Sequence, residues 1–283
     1  MLDVSTQGGI RALGARDLPS IHAVLDRDPL VNVFVEAHLR DAGASLRGLN
    51  ARLWGYFDGG RLTAVCYAGA NLVPASATEA AAYAFGMQAR RLGRNCSSLW
   101  GRREVVEPMW RLLAPRWGRA RAIRDRQPFL VLARDPIVPP DPSVRRATEA
   151  DLDAVYRASV AFFTEELGVS PERRGGGAQY RQRVRELVSR GRAFVRMENG
   201  EVTFKAEIGV ASPHAFQIQG VWVHPARRGQ GLSSGGVAAV VAAGRQDVAP
   251  VATLYVNDFN VVARRTYARV GFTPMATFMT VLF

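Results

Sequence analysis

Apolar and polar positions in the second half of the chain follow two periods. Segments 193–198, 202–210 and 215–223 run apolar or alternate with polar residues, the habit of strands. From 180 to 190, Tyr180, Val184, Leu187 and Val188 recur at helical spacing and share one face. A strand at 144–147 leads to a predicted helix over 151–165, and 171–179, with three consecutive glycines, reads as a loop. A glycine-rich turn at 227–233 opens a helix reaching 245. A strand at 251–256, a helix at 260–269 stopped by Gly271, and a strand at 276–283 complete the half. Strands alternating with helices, with hairpins among them, predict a mixed α/β sheet.

The two halves read as distant copies. The segment from Ile10 through Asp17 to Ile21 aligns with that from Val144 through Asp151 to Val155. A hairpin turn at 58–63 aligns with one at 198–203. Ser98, Leu99 and Trp100, followed by Val105 and Val106, align with Thr253, Leu254 and Tyr255, followed by Val261 and Val262. Between the halves stand Pro136, Pro139, Pro140 and Pro142 in a stretch without helical period. The expected division is therefore a domain at 1–135, a linker at 136–142 and a domain at 143–283.

Composition narrows the class. The 283 residues are 48% hydrophobic and 22% charged, ordinary for a globular chain of about two domains. No stretch reaches ~18 uninterrupted apolar residues, which excludes a membrane helix, and the first residues lack a secretory pattern. Two cysteines and four histidines without ligand spacing give neither a disulfide framework nor a zinc site, so no metal and a reducing, cytoplasmic setting are expected. The net charge of +12 favours anionic partners. Eleven arginines against three acids fall in 90–126, a solvated basic surface in the plainer reading.

The chemistry concentrates after the strand that carries Val221, Trp222 and Val223. His224 and Pro225 end it, and Arg227, Arg228, Gly229, Gln230, Gly231, Leu232, Ser233 and Ser234 lead into a helix. Glycine lets backbone N–H groups approach an anion, the helix start adds partial positive charge, and arginines add fork-shaped donors. This is a phosphate cradle, and no Gly-Lys-Ser/Thr follows to make it a Walker A loop.

That loop resembles the acetyl-CoA loop of the GNAT N-acetyltransferase superfamily, with Arg228, Gly229, Gln230 and Gly231 on the family pattern and Ser233 where the family has glycine or alanine. A second segment resembles the family's later motif: a strand, Asn260 opening a helix, Tyr267 two turns on, then Gly271 and Phe272. The two-part arrangement is similar to actinobacterial GNAT proteins with an additional N-terminal domain of unknown function. The resemblance implies two tandem domains, each a mixed, mostly antiparallel twisted sheet flanked by helices. It implies acetyl-CoA as co-substrate, a small-molecule or protein amine as acceptor, and direct transfer in a ternary complex. Val221, Trp222, Val223, the loop from Arg227 to Ser234, Asn260 and Tyr267 would bind acetyl-CoA. The Val223 N–H would serve the thioester carbonyl, and Tyr267 would protonate the leaving thiolate.

For the base, strand alternation puts Lys205 and Glu207 on one face, joined by Gln217 and Gln219 and, on the same count, Val221 and Val223. The plainer reading is an ion pair stabilising an edge; the functional one is a polar floor with Glu207 as base. Glu166, at the end of the 151–165 helix, is the second choice. In the first half Val65 and Tyr67 replace Lys205 and Glu207, the expected loop at 71–80 has neither arginine nor spaced glycines, and Glu104 stands near the Asn260 position. That half is expected to keep the fold, to lack the cofactor and to shape the acceptor site. Two other classes fit the residues: an aminoacyl-tRNA-dependent transferase of tandem fold, and a non-catalytic acyl-CoA sensor. Nucleic acid and membrane are not the expected partners.

Overall fold

Both halves of the chain open with the same construction. On strand β1 (Gly9–Ala12), Arg11 donates to both carboxylate oxygens of Asp17, at 2.9 and 2.7 Å, and Asp17 accepts from the Gly14 N–H at 2.9 Å. On β7 (Arg145–Arg146), Arg145 holds Asp151 at 2.7 and 2.9 Å, and Asp151 accepts from the Thr148 N–H at 2.8 Å. Each aspartate closes a single 3-10 turn that feeds a helix, α1 (Leu18–Leu25) or α5 (Leu152–Leu167). A carboxylate there satisfies amides at a helix entry and faces the positive end of the dipole. The alignment of Asp17 with Asp151 thus has a structural counterpart.

These pairs give stability a pH dependence. Hydrogen bonds from Arg11 lower the Asp17 carboxyl to about 2, and those from Arg145 hold Asp151 well below the usual carboxylate range. A carboxyl lowered in the folded state stabilises it above the unfolded pKa of about 3.9, and the contribution drains away as pH falls through the folded value. Urea titrations from pH 5 to pH 2 should show the wild-type midpoint falling below pH 4. D151N should show a lower midpoint at pH 5 and a shallower fall; equal slopes would remove Asp151 from the account.

The structure, a computed structural model, describes residues 8–283. It forms two compact units. In the first, neighbouring strands run in the order β1, β2 (Ala51–Asp58), β3 (Arg61–Gly69), β4 (Asn71–Ala75), β5 (Ser98–Arg102), β12 (Thr273–Leu282) and β6 (Ala122–Leu132), the last contributing its residues up to Phe129. The helices of this unit are α1, α2 (Val33–Ala42), α3 (Glu79–Leu92) and α4 (Arg103–Trp117). One of its cores joins Phe85 of α3 and Val106, Met109 and Leu113 of α4 to Cys66, Leu99 and Val281 on the sheet.

The units do not follow the linear division expected from the proline-rich stretch. Residues Tyr255–Phe259 and Pro274–Phe283 belong to the first unit. The reason is pairing: β12 lies antiparallel to β5 from Phe278 opposite Arg102 to Leu282 opposite Ser98, and it buries Met279 and Val281 in that core. A network of Gln127, Asn257 and Thr280 fixes the join, with bonds of 2.9 Å from Gln127 Nε2 to Asn257 and 2.6 Å from Thr280 to Gln127 Oε1.

The second unit orders its strands β11 (Val251–Tyr255), β10 (Ala215–Val223), β9 (Glu201–Ala211), β8 (Ala193–Glu198) and β7. On one face α5 and α6 (Gly177–Ser189) bury Val155, Ala158, Val184 and Leu187 with Val195 and Trp222. On the other lies α7 (Leu232–Asp247), which approaches so closely that a Cβ on Gly236 would stand 2.6 Å from the Phe204 ring. Helix α8 (Val261–Val270) packs beside α7. In each unit the strand pairing is mixed and mostly antiparallel, as expected. Helix α6 begins at Gly177, earlier than propensity predicts, because Tyr156 of α5 packs against that turn and against Tyr180. No helix among the described residues is long and apolar enough to cross a membrane.

Candidate functional site

In the second unit, β10 and β11 run parallel only where Ala215, Phe216 and Gln217 oppose Val251, Ala252 and Thr253. Beyond that register β10 continues to Val223 while β11 ends at Tyr255. A bulge redirects β10: Gln219 opposes Glu207 but Trp222 opposes Lys205, so β10 holds one extra residue. Gly220 sits in it at φ +60, and a Cβ there would lie 3.0 Å from both Glu207 Cδ and Lys205 Nζ. Gly220→Ala should therefore destabilise the protein by about 1–3 kcal/mol, through strain and overpacking together. Urea unfolding measures this, and an unchanged midpoint would show that the bulge is not constrained.

The bulge also decides which backbone groups face outward. The His224 N–H donates to the Thr203 carbonyl at 3.0 Å. Hydrogen-bonded and non-bonded pairs alternate along an antiparallel ladder, so Val223 opposite Phe204 is a non-bonded pair. The Val223 N–H is thereby turned away from β9, to the side that β11 has left. Its carbonyl accepts from Arg228 Nε at 3.1 Å.

The loop that follows is built from one 3-10 turn, Pro225–Arg227, and two left-handed glycines, Gly229 at φ +78 and Gly231 at φ +80. Nothing lies within 4 Å of a Cβ on either, so backbone conformation, and not crowding, demands glycine there. Gly231 is the N-cap of α7. Among the described residues, no hydrogen bond occupies the N–H groups of Gly229, Gln230 and Gly231. Leu232 and Ser233 add first-turn N–H groups that a helix leaves unpaired. Gln230 is exposed, Leu232 half-buried and Ser234 buried. Ser233 Oγ stands 3.4 Å from Thr266 Oγ1, tying the loop to α8.

Both arginines of the loop are held by carboxylates. Arg227 pairs with Glu198 at 2.7 Å and Arg228 with Glu165 at 2.6 Å. Glu165 also accepts from Trp222 Nε1 at 3.2 Å. Sequence reasoning selected Glu166, one position on, and missed this bridge. Only the helical phase of the buried positions 152, 155 and 159 and the half-buried position 162 pointed to it.

The polar floor forms, with one correction. Lys205 Nζ donates to Glu207 Oε2 at 3.2 Å, and Gln219 Nε2 donates to Gln217 Oε1 at 2.8 Å, on the face covered by α5 and α6. Val221 and Val223 do not share that face as expected: the extra residue at Gly220 reverses the alternation and gives the place opposite Lys205 to Trp222. Tyr267 is buried on α8. Burial, and after it the Glu166 carboxylate, push its phenol well above the ordinary tyrosine value. The structure thus brings two of the three catalytic candidates within each other's field. Asn260 is exposed and caps α8, its Oδ1 accepting from the Ala263 N–H at 3.1 Å, which leaves its amide NH2 as a donor.

The first unit has the same strands without these devices. The hairpin register places Val65 and Tyr67 where Lys205 and Glu207 stand. From Ala68 opposite Leu72 to Val65 opposite Ala75, β3 and β4 pair with no bulge. The segment after β4 satisfies itself: Ser76 donates to the Val24 carbonyl and accepts from Asn32, both at 3.0 Å, and Thr78 caps α3 through the Ala81 N–H at 3.3 Å. Glu104, on the first turn of α4, accepts from Arg102 at 3.3 Å. Among the described residues, no group of three or more His, Cys, Asp or Glu could hold a metal ion.

The profile of the acetyltransferase (GNAT) family matches residues 152–272, and that of a domain of unknown function, DUF4081, matches residues 51–155. No curated protein matches the sequence. Among solved structures, the chain is similar to a GNAT-family acetyltransferase from Colwellia psychrerythraea, at 13% identity over 97% of this chain and 99% of that one, with a TM-score of 0.55. It is similar to a tandem GNAT protein from the clavulanic acid biosynthesis pathway, at 16% identity over 98% of each chain and a TM-score of 0.54. A GCN5-related N-acetyltransferase from Sphaerobacter thermophilus matches at 15% identity over 96% of this chain and 94% of that one, with a TM-score of 0.61. At such identities the likeness is one of fold, and that fold is a tandem pair of GNAT domains. Residues 152–272 thus form a domain of the GNAT acetyltransferase family, with the DUF4081 domain ahead of it.

Proposed function

We propose that this protein is an N-acetyltransferase that passes the acetyl group of acetyl-CoA directly to a primary amine while both are bound. The observation that carries this reading is the run of unpaired N–H groups from Gly229 to Ser233 at the start of a long helix, beside two arginines. That arrangement fits a pyrophosphate, whose oxygens would satisfy the N–H groups and draw Arg227 and Arg228 from their carboxylates. Acetyl-CoA, when bound, supplies an activated thioester.

The chain's own groups then have distinct tasks. The loop from Arg227 to Ser234 holds the pyrophosphate, and the exposed amide of Asn260 serves the arm between it and the thioester. Val221 and Trp222 set the bulged strand so that the Val223 N–H meets the carbonyl oxygen, where negative charge grows. Glu207 takes the proton of the acceptor ammonium, with Glu166 as second choice. Tyr267, kept neutral by burial, gives its proton to the departing sulfur. Holding the two reactants together supplies much of the rate. The first unit, with its loop closed by Ser76 and Thr78, takes no acetyl-CoA. The unpaired cysteines Cys66 and Cys96 support a cytoplasmic setting.

Calorimetric titration tests this reading, followed by a screen of small-molecule and peptide amines for acetyl transfer. One acetyl-CoA per chain at micromolar Kd, with turnover of some amine, is expected. Two sites per chain would restore the first unit as a cofactor domain. No binding, or binding without any turnover, would overturn acetyl transfer.

A further inference from the structure

One charged group on the acceptor face has no task in that scheme. Lys205 is the single lysine of a chain with 36 arginines. Everywhere else this sequence supplies positive charge as arginine. Lys205 lies in the middle of β9 with its side chain 2% exposed, its Nζ 3.2 Å from Glu207 Oε2 and 5.2 Å from the centre of the Phe162 ring on α5. The backbone of the β10 bulge closes the space: a Cβ on Gly220 would stand 3.0 Å from Nζ. A planar guanidinium needs more room than that, whereas an ammonium is a compact point charge.

Burying this charge is costly, and an apolar side chain beside Phe162 would avoid the cost. The benefit must lie in what the ammonium does to its partner. The neighbouring elements carry other titratable, charged or polar groups. Tyr180 of α6 has its phenol raised by burial and then by the Glu207 charge. Arg183 of α6 donates to the Gly209 carbonyl at 3.2 Å, Gln219 of β10 is bonded to Gln217, and Glu165 of α5 is engaged by Trp222 and Arg228. Glu166 of α5 acts on Tyr267. Opposite Glu207 on β8 is Ala193, which carries no charge. Lys205 is thus the cation in hydrogen-bond contact with this carboxylate among the described residues.

We propose that Lys205 is a positioning residue for Glu207: it fixes Oε2 and leaves Oε1 as the oxygen that takes the acceptor's proton. The proposal rests on the acetyl-transfer reading above. In the step, one proton moves from the ammonium nitrogen to Oε1 and then to solvent, the freed lone pair bonds to the acetyl carbon, the C–S bond breaks as the sulfur takes the Tyr267 proton, the nitrogen's second proton is returned to Tyr267 through solvent, and Lys205 keeps its own protons throughout. A lysine that only stabilised the sheet would change the unfolding midpoint and leave kcat alone.

The test compares wild type with K205M, which keeps the length and removes the charge. Acetyl-CoA should bind K205M with a Kd within threefold of wild type. The kcat should fall at least tenfold while the KM for the amine stays within threefold of wild type. An unchanged kcat, or a loss carried by KM alone, would overturn the proposal and leave acetyl transfer standing. If K205M does not fold, protein grown with lysine carbon-13-labelled at Cε shows one lysine resonance, because there is one lysine. In E207Q that resonance should change its chemical shift, and an unchanged position would overturn the contact. Failure of wild type to bind acetyl-CoA would instead overturn the reading on which the proposal rests.

Discussion

Gly231→Asp should raise the Kd for acetyl-CoA at least hundredfold in calorimetry, with the fold intact by circular dichroism. Hundredfold corresponds to about 2.7 kcal/mol, and two causes supply it. Gly231 has φ +80, a region that costs a residue with a Cβ about 1–2 kcal/mol. The larger cause is electrostatic. The new carboxylate sits at the N-cap of α7, where it takes the first-turn N–H groups that would serve the pyrophosphate and repels the anion itself. Arg228→Ala should cost less, about tenfold, because the guanidinium is half exposed and already shared with Glu165. A Gly231→Asp variant that binds like wild type would remove the loop from the cofactor site.

The second large effect falls on chemistry and leaves binding alone. Tyr267→Phe should lower kcat by about 10²-fold or more while acetyl-CoA binds within twofold of wild type, since the ring and its contact with Phe272 remain and only the proton donor is lost. Burial and the nearby Glu166 carboxylate both favour the neutral phenol. A group whose pKa is raised keeps its proton to higher pH, so the wild-type enzyme should show no alkaline loss of kcat at the ordinary tyrosine value of about 10. Stopped-flow or thiol-release assays from pH 7 to pH 10.5 measure both quantities. Weakened binding at unchanged kcat would give Tyr267 a packing role and leave the sulfur to be protonated by water.

Residues close in sequence were legible because local chemistry dictates them. Strands 193–198 and 215–223 fall where alternation places them, and helix α8 starts on Asn260 and stops at Gly271, as cap and stop residues demand. The loop from Arg227 to Ser234 was readable because left-handed glycines and a helix start leave a mark at fixed spacing. Longer-range facts left weaker marks. Glu165 and Glu166 are neighbours on one helix end, and choosing between them needs the turn of α5 relative to Trp222 and Arg228. The face shared by Gln219 and Trp222 depends on one extra residue at Gly220, and strict alternation assigns it to the wrong side.

The sequence by itself determined the mixed sheets, the repeat of the Arg–Asp opening and the glycine loop with its helix, and it offered Glu207, Glu166, Asn260 and Tyr267 as candidates. Only the tertiary structure decided that β12 completes the first unit's sheet, that the bulge turns the Val223 N–H away from β9, and that Lys205 is buried against Glu207 under Gly220. The physical reason is the range of the interactions. Caps, turns and periodicity are set by residues within one or two turns of each other, so the linear order records them. Strand partners, bulges and buried ion pairs are chosen by competition among segments far apart in the chain, and the winner is fixed by how much apolar surface and how many backbone hydrogen bonds the whole arrangement satisfies.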